Sequence, residues 1–312
     1  MKTDTRYSDP ERVRSLDELD GWDFPGTALA VLGSPITHSV SPPMHNTALN
    51  MMAQTQLMFL DWRYFKFDTP PEVLPSALEL LHAAGFRGIN LTIPHKVQAV
   101  ELVAEIDPAA RLTGAVNTLL RRENGWMGYN SDGYGLEQAL RRELSVELAG
   151  ATVILFGAGG AARAAAVQCL QSGCAELWIG NRNQERLQGL IDLLQDAPGS
   201  ERVHGFNLAE PPQLPQGAVV VNATSLGLKA DDPAPIDAAL LGPDARIYDM
   251  TYGVDNALKQ AAGLHELAYA DGLSMLVWQG VRSLEIWTGA QVPAQAMMDG
   301  ACRAKGFAPR RA

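Results

Sequence analysis

The run Val153-Ile154-Leu155-Phe156-Gly157-Ala158-Gly159-Gly160-Ala161-Ala162 decides the fold. Four apolar residues make a buried strand, a glycine turn follows, and an alanine-rich segment reads as the helix Ala161–Gln171. Gly157 permits the tight turn, Gly159 lets a pyrophosphate approach the backbone, and the small Ala162 lets helix and strand pack closely. The helix start offers free N–H groups and the positive end of its dipole to phosphates. A glycine-rich turn alone is often an ordinary loop. Here the strand before it and the helix after it are both present, so the stretch is read as a dinucleotide site.

Downstream, Glu176–Ile179 is a second strand, leading into Gly180-Asn181-Arg182-Asn183-Gln184-Glu185-Arg186. An acidic residue at the end of that strand would hold a ribose 2′-hydroxyl, whereas arginine suits a 2′-phosphate. Glu176 lies at the strand's beginning, and Arg182 and Arg186 lie where a phosphate would be, so the expected cofactor is NADP. A solvated basic turn is the bland alternative. Ala218–Asn222 and Ala245–Met250 read as further strands, and Glu137–Leu148 and Leu273–Gly289 as helices. Upstream, strands at Thr27–Gly33, Leu57–Phe67 and Gly88–Ile93 alternate with helices at Met44–Ala53 and Pro75–Ala84. That alternation implies an α/β fold with mostly parallel sheets and helices on their faces.

At 312 residues the chain is long for one domain, and 46% hydrophobic against 19% charged residues is a globular balance. No apolar run approaches the roughly 18 residues that span a bilayer, and Met1 to Glu18 lack the apolar core of a secretory signal. Cys169, Cys174 and Cys302 form no C-x-x-C pair, which fits a reducing, cytoplasmic setting. The six histidines show no metal-ligand spacing, so no metal is expected. A net charge of −10 disfavours nucleic acid as a partner. Small anions can still be bound by local donors.

Such donors occur in four clusters: Gly33-Ser34-Pro35-Ile36-Thr37-His38-Ser39-Val40-Ser41-Pro42, Asn90-Leu91-Thr92-Ile93-Pro94-His95-Lys96, Gly114-Ala115-Val116-Asn117-Thr118 and Tyr129-Asn130-Ser131-Asp132-Gly133. Each alone reads as a serine turn, a surface lysine or an Asx-turn. In this order, ahead of the glycine loop, they resemble the shikimate dehydrogenase family. Asn222-Ala223-Thr224-Ser225, Tyr248-Asp249-Met250-Thr251-Tyr252 and Ala270-Asp271-Gly272-Leu273-Ser274-Met275-Leu276-Val277-Trp278-Gln279 extend the resemblance, which runs from about Ala28 to Pro293.

The resemblance implies a substrate domain built from both chain ends, with a Rossmann-type NADP-binding domain inserted between them. The expected boundaries are a polar N-terminal extension at 1–26, read as a loosely docked arm or helix, a substrate domain at 27–131 with 273–312, and a nucleotide domain at 132–272. By the same resemblance Ser39 and Ser41 bind a substrate carboxylate, and Thr92, Asn117, Tyr252 and Gln279 hold ring hydroxyls or the carboxylate. Lys96 and Asp132 form the catalytic pair. Gly157, Ala158, Gly159, Gly160 and Ala161, with Asn181, Arg182, Asn183 and Arg186, hold NADP, and Met250 and Gly272 lie near the nicotinamide. Gly253-Val254-Asp255-Asn256 departs from the family's usual proline and threonine, and Ser274 replaces a usual glycine.

The implied activity is NADPH-dependent reduction of 3-dehydroshikimate to shikimate, in chorismate biosynthesis. Hydride arrival at a ketone leaves an alkoxide, so a proton donor such as Lys96 is required. Desolvation would bring the lysine pKa down and a neighbouring carboxylate would raise it, and the sequence leaves that balance open. Alternatives are a quinate/shikimate dehydrogenase of broader substrate or NAD use, and a non-catalytic dinucleotide-binding regulator. Both monomer and homodimer fit the sequence.

Overall fold

The computed structural model of the protein describes residues 5–312. These divide into two units, one ending at Ser131 and rejoined by Gly280–Ala312, the other Asp132–Gln279. In the first unit the chain order is β1 (Val13–Arg14), β2 (Thr27–Gly33), α1 (Ser41–Thr55), β3 (Trp62–Asp68), α2 (Leu74–Ala83), β4 (Gly88–Leu91), α3 (His95–Gln98), β5 (Glu105–Ile106), α4 (Pro108–Thr113), β6 (Thr118–Arg122) and β7 (Gly125–Tyr129). The sheet runs β1-β3-β2-β4-β6-β7-β5. Residues 28–33 of β2 are all buried, as expected of a strand covered on both faces. Its partners β3 and β4 are parallel to it, whereas β6 is antiparallel to both β4 and β7. The β6–β7 hairpin turns through Glu123-Asn124 into Gly125, the first residue of β7, a local signal that a reading based on βαβ alternation passes over.

The second unit contains α5 (Asp132–Leu144), β8 (Thr152–Phe156), α6 (Gly160–Gln171), β9 (Glu176–Asn181), α7 (Gln184–Leu194), β10 (Val203–Asn207), β11 (Val219–Asn222), β12 (Arg246–Asp249), α8 (Ala257–Leu264), β13 (Ala268–Asp271) and the start of α9 (Leu273–Thr288). The last helix, α10 (Ala294–Lys305), packs on α1 in the first unit. The strand order β10-β9-β8-β11-β12-β13 is wholly parallel, the doubly wound arrangement with its reversal between β8 and β11. Among the described residues no helix is long and apolar enough to cross a membrane.

Three local expectations shift. Leu57–Phe59 is a 3-10 turn, and the strand begins only at Trp62. Helix α5 starts at Asp132 rather than Glu137: Gly133 and Gly135 weaken its local propensity, but Gly133 lies against Gln168 and Ala164 of α6, and Gly135 against Met275 and Gln279 of α9. The return to the first unit falls between Gln279 and Gly280, inside α9, rather than after Gly272. The first turn of α9 is tied to the second unit, because the Met275 amide donates to the Tyr248 hydroxyl at 3.1 Å.

The segment expected as a loosely docked arm is integrated into the core. Residues 1–4 lie outside the described residues. Beyond them, β1 pairs in parallel with β3, and Tyr7 and Leu19 are buried. Trp22 packs edge-on to Phe65 at 5.3 Å and against Phe86 at 5.1 Å, with Tyr7 at 4.8 Å. Arg14, 1% exposed, places its guanidinium 5.0 Å from the Phe65 ring centre. It donates to Glu18 at 3.1 Å and to the carbonyls of Arg6 and Asp9 at 3.1 and 3.0 Å. Burial lowers its pKa, while the Glu18 carboxylate acts against that shift. A charged residue in a polar stretch reads as surface in sequence. Here its hydrogen bonds are internal, and that is what permits its burial.

Trp22→Ala is therefore expected to lower unfolding free energy by about 2–3 kcal/mol, below the roughly 3–5 kcal/mol of a fully buried aromatic because Trp22 is only half-buried. Denaturant unfolding of the two proteins measures it; a change within about 0.5 kcal/mol would restore the loosely docked arm.

Candidate functional site

In the first unit the predicted groups gather at one end of the sheet. The loop after β2 carries Ser39 and leads into Ser41 at the start of α1, the loop after β4 carries Thr92 and leads into Lys96 in α3, and Asn117 immediately precedes β6. Because β6 is antiparallel to β4, the start of β6 lies at the same end as the C-terminal ends of β2 and β4. The Thr92 amide donates to Leu32 at 3.0 Å, and its methyl lies against Gly33, where the serine loop begins. The Val116 amide donates to the Lys96 carbonyl at 2.8 Å, which sets the lysine's backbone beside Asn117. Ser34-Pro35 and Ile93-Pro94 are both cis. The Ser39 amide is held by the Ile36 carbonyl at 3.0 Å, and the Ser41 amide by the Ser39 hydroxyl at 3.3 Å.

With these groups goes a buried polar network of which the sequence reading assigns a role only to Asn117. Asn90 Nδ2 reaches the Asn117 carbonyl, Thr118 Oγ1 and Ser283 Oγ at 3.0, 3.1 and 3.0 Å. The Asn117 side chain donates to Ser131 Oγ at 3.1 Å and accepts from the Ser131 amide at 2.9 Å. Thr118 and Ser283 hydroxyls are 2.7 Å apart, and the Tyr64 phenol donates to Asn90 Oδ1 at 2.8 Å. Burial raises the Tyr64 pKa, with the Ser41 hydroxyl opposing the rise. His45 stacks on Tyr64 at 4.1 Å, and its Nδ1 lies 2.8 Å from the Ser41 carbonyl, which can only accept. Nδ1 therefore carries the proton. Tyr64 and Asn90 lie in strands β3 and β4 and Ser131 in a quoted polar cluster, so the polar character of the first two inside apolar strands is the available signal.

The second unit holds the remaining candidates. Gly157, at φ +113°, follows β8 at the strand-order reversal, and a Cβ there would meet the Ala223 carbonyl oxygen at 2.9 Å. Only glycine fits that turn. Ala158 is buried, while Gly159 and Gly160 border open space. Gly159 caps α6 without any side-chain acceptor, which leaves the helix's first amides available to a phosphate. Ala161 lies in that first turn.

At the end of β9, Asn181 donates to the Asn183 carbonyl at 2.7 Å, and the Asn183 side chain caps α7 by accepting from the Arg186 amide at 2.8 Å. Arg182 and Arg186 are exposed, and neither is in an ion pair among the described residues. Glu176, at the other end of the strand, accepts from the Trp178 indole at 2.8 Å. No carboxylate of β9 therefore competes at the arginine end. This donor set fits a dinucleotide carrying a 2′-phosphate.

Met250 and Gly272 meet directly: a Cβ on Gly272 would lie 2.1 Å from the Met250 carbonyl oxygen. Below them Asp249, fully buried, accepts from Asn222 at 2.9 Å, Asn256 at 2.8 Å, the Thr251 amide at 3.0 Å and Tyr269 at 3.1 Å. Asn256, in the stretch that departs from the family pattern, is 1% exposed and also caps α8 through the Lys259 amide at 2.9 Å. Ser274, the other departure, lies 3.2 Å from the Tyr248 hydroxyl. Both departures are thus absorbed locally. Tyr252 is half-buried, its pKa raised by desolvation and then by the Asp271 charge. Asp132 begins α5, and Gly135, one turn on, touches Gln279 of α9.

Burial holds His45 at a pKa of about 4, down from 6.5, so it is neutral in the folded protein. The unfolded chain binds this proton as pH falls below 6.5 and the native protein does not, so stability present above pH 6.5 is lost towards pH 4. The loss expected from this ring is about 3 kcal/mol. Urea unfolding at pH 7, 5.5 and 4 measures it, and His45→Asn should flatten that dependence. Equal pH dependence in the two proteins would refute the assignment.

Residues 31–119 match a family model described as shikimate dehydrogenase substrate binding domain, and residues 272–299 one described as shikimate 5′-dehydrogenase C-terminal domain. A protein of Rubrobacter xylanophilus named shikimate dehydrogenase (NADP(+)) is 40% identical over 287 residues, covering 91% of this chain and 97% of that one. The crystal structure of shikimate 5-dehydrogenase from Thermus thermophilus in complex with NADP(H) and shikimate matches with a TM-score of 0.78 and 33% identity, over 89% of this chain and 99% of that one. Quinate dehydrogenase from Corynebacterium glutamicum in complex with NAD matches at 26% identity and a TM-score of 0.77, over 88% and 98%.

Proposed function

Because the chain belongs to the shikimate dehydrogenase family, we propose that it catalyses the NADP-dependent, reversible reduction of 3-dehydroshikimate to shikimate. The setting proposed is cytoplasmic, within chorismate biosynthesis. The observation that carries the cofactor half of this reading is the pair Arg182 and Arg186, exposed and without ion pairs among the described residues, beyond a strand whose own carboxylate is engaged elsewhere. An NAD site would instead place a carboxylate there.

The chain's residues take the following roles. Gly157–Ala161 and the first turn of α6 receive the pyrophosphate, and Asn181, Arg182, Asn183 and Arg186 receive the adenosine end. Met250 and Gly272 border the nicotinamide, whose bound reduced form supplies the hydride. The substrate domain is the unit carrying Ser39 and Ser41, whose hydroxyls take the carboxylate. Thr92, Asn117, Tyr252 and Gln279 fix the ring. Lys96 donates a proton to the ketone oxygen as negative charge develops there, with Asp132 its partner in catalysis. Ionic hydrogen bonds of this kind set the substrate's orientation as well as its affinity.

Lys96→Ala should cut kcat by about 10²–10⁴, the usual contribution of one positioned acid–base group, with smaller changes in KM. The assay follows NADPH absorbance with 3-dehydroshikimate as substrate. Wild-type turnover supports the reading, whereas none would leave a dinucleotide-binding protein without this chemistry. Near-wild-type kcat in the variant would remove Lys96 from the mechanism.

Arg182→Ala with Arg186→Ala should lower kcat/KM for NADPH by two orders of magnitude or more, at about 1.5–3 kcal/mol per charge-assisted contact. NADH lacks the phosphate, so its kcat/KM should hardly change. Measuring both cofactors in both proteins decides the matter: a wild type that prefers NADH, or a double variant that keeps its NADPH preference, makes these arginines a solvated turn.

A further inference from the structure

The strand β3 contains a residue that its surroundings do not explain. In Tyr64-Phe65-Lys66-Phe67 the neighbours are fully buried, and Lys66 itself is only 8% exposed. Its Nζ donates to the carbonyl of Thr37 at 3.1 Å, inside the loop that carries Ser39 and Ser41. Desolvation lowers the Lys66 pKa, and the charges acting against that are Glu11 and Asp9. Both belong to the N-terminal segment, and Glu11 is in turn influenced by Asp9, Lys66 and Arg303 of α10. Asp9 is itself fixed, since its Oδ1 accepts the amides of Glu11 and Arg12 at 2.9 and 3.2 Å.

An ammonium is a poor choice for filling space in a strand. Its desolvation is unfavourable, and a well-packed apolar side chain of similar volume is often neutral or stabilising in its place. What Lys66 does that an apolar residue cannot is grip a backbone carbonyl two residues before Ser39. Two of the loop's other fastenings are short-range: Ile36 holds the Ser39 amide, and Ser39 Oγ holds the Ser41 amide. Tyr64, also on β3, meets the Ser41 side chain where the loop runs into α1. Lys66 ties the middle of the loop to the same strand.

We propose that Lys66 is a positioning residue for the substrate carboxylate, setting the serine loop through Thr37. This rests on the assignment of Ser39 and Ser41 to the carboxylate. Since the carboxylate is remote from the reacting ketone, loss of this support weakens ground and transition states alike and appears in the substrate KM rather than in kcat.

The test is steady-state kinetics and thermal unfolding of Lys66→Met and Lys66→Arg. Lys66→Met should raise the shikimate KM about tenfold, the scale of one lost charge-assisted bond, with kcat and the NADP KM within about twofold and Tm unchanged or higher. Lys66→Arg, which retains a cationic donor, should recover most of the substrate KM. An unaltered shikimate KM in Lys66→Met overturns the proposal, as do a parallel rise in both KM values and a fall in Tm, which mark a purely structural lysine. Ser39→Ala with Ser41→Ala separates the two readings: if that variant also binds shikimate normally, the carboxylate assignment has failed; if only the Lys66 variants do, the positioning role has.

Discussion

The first unit is organised around a buried hydrogen-bond network made by Asn90, Asn117, Thr118, Ser131 and Ser283. Each of these side chains is buried, so each would destabilise the fold if left unpaired. The five partners come from β4, the start of β6, the end of the chain segment that follows β7, and α9. Satisfying them together therefore requires those four pieces to be in register at once. That requirement locates Thr92 and Lys96 after β4 and Asn117 before β6, and fixes the backbone at Ser131, the residue before Asp132. Networks of this kind specify a unique arrangement because a partial version is worse than none.

The second unit relies on a different constraint, close backbone approach. The turn at Gly157 presses on Ala223 and the one at Gly272 on Met250, so the ends of β8, β11, β12 and β13 are brought against one another with no side chain between. Asp249 then collects the donors those turns would otherwise leave unmatched, through Asn222, Asn256 and the Thr251 amide. The result is an edge rich in amides and poor in side-chain bulk, which is what a flat, phosphorylated ligand requires.

Much of this is legible in the sequence, for identifiable reasons. The strand Thr152–Phe156 can be read to the residue because an apolar run, a glycine turn and an alanine-rich helix follow one another without interruption. The arginine turn after β9 is legible because its basic residues sit next to a strand end. Hidden are the features whose cause is distant. Strand β1 has two residues and exists only because β3 offers an edge. Arg14 and Lys66 look like surface charges until the carbonyls they meet are known. Local propensity starts helix α5 five residues late, because Gly133 and Gly135 lower it while close packing on α6 and α9 demands them. Lys96 and Asp132, by contrast, stand out in the sequence only through the clusters around them.

The first unit is discontinuous in sequence, and this bears on how the protein comes off the ribosome. Residues 132–279 are contiguous, so they can fold as soon as they emerge. The earlier-made N-terminal portion must meanwhile wait for Ser283 to complete its polar network and for α10 to cover α1. Until Ser283 and α10 have emerged, Asn90 and Thr118 each lack one native partner, and the face of α1 that α10 covers stays in water. The part of the protein synthesised first is therefore the part finished last, and that interval is when it most needs protection from aggregation.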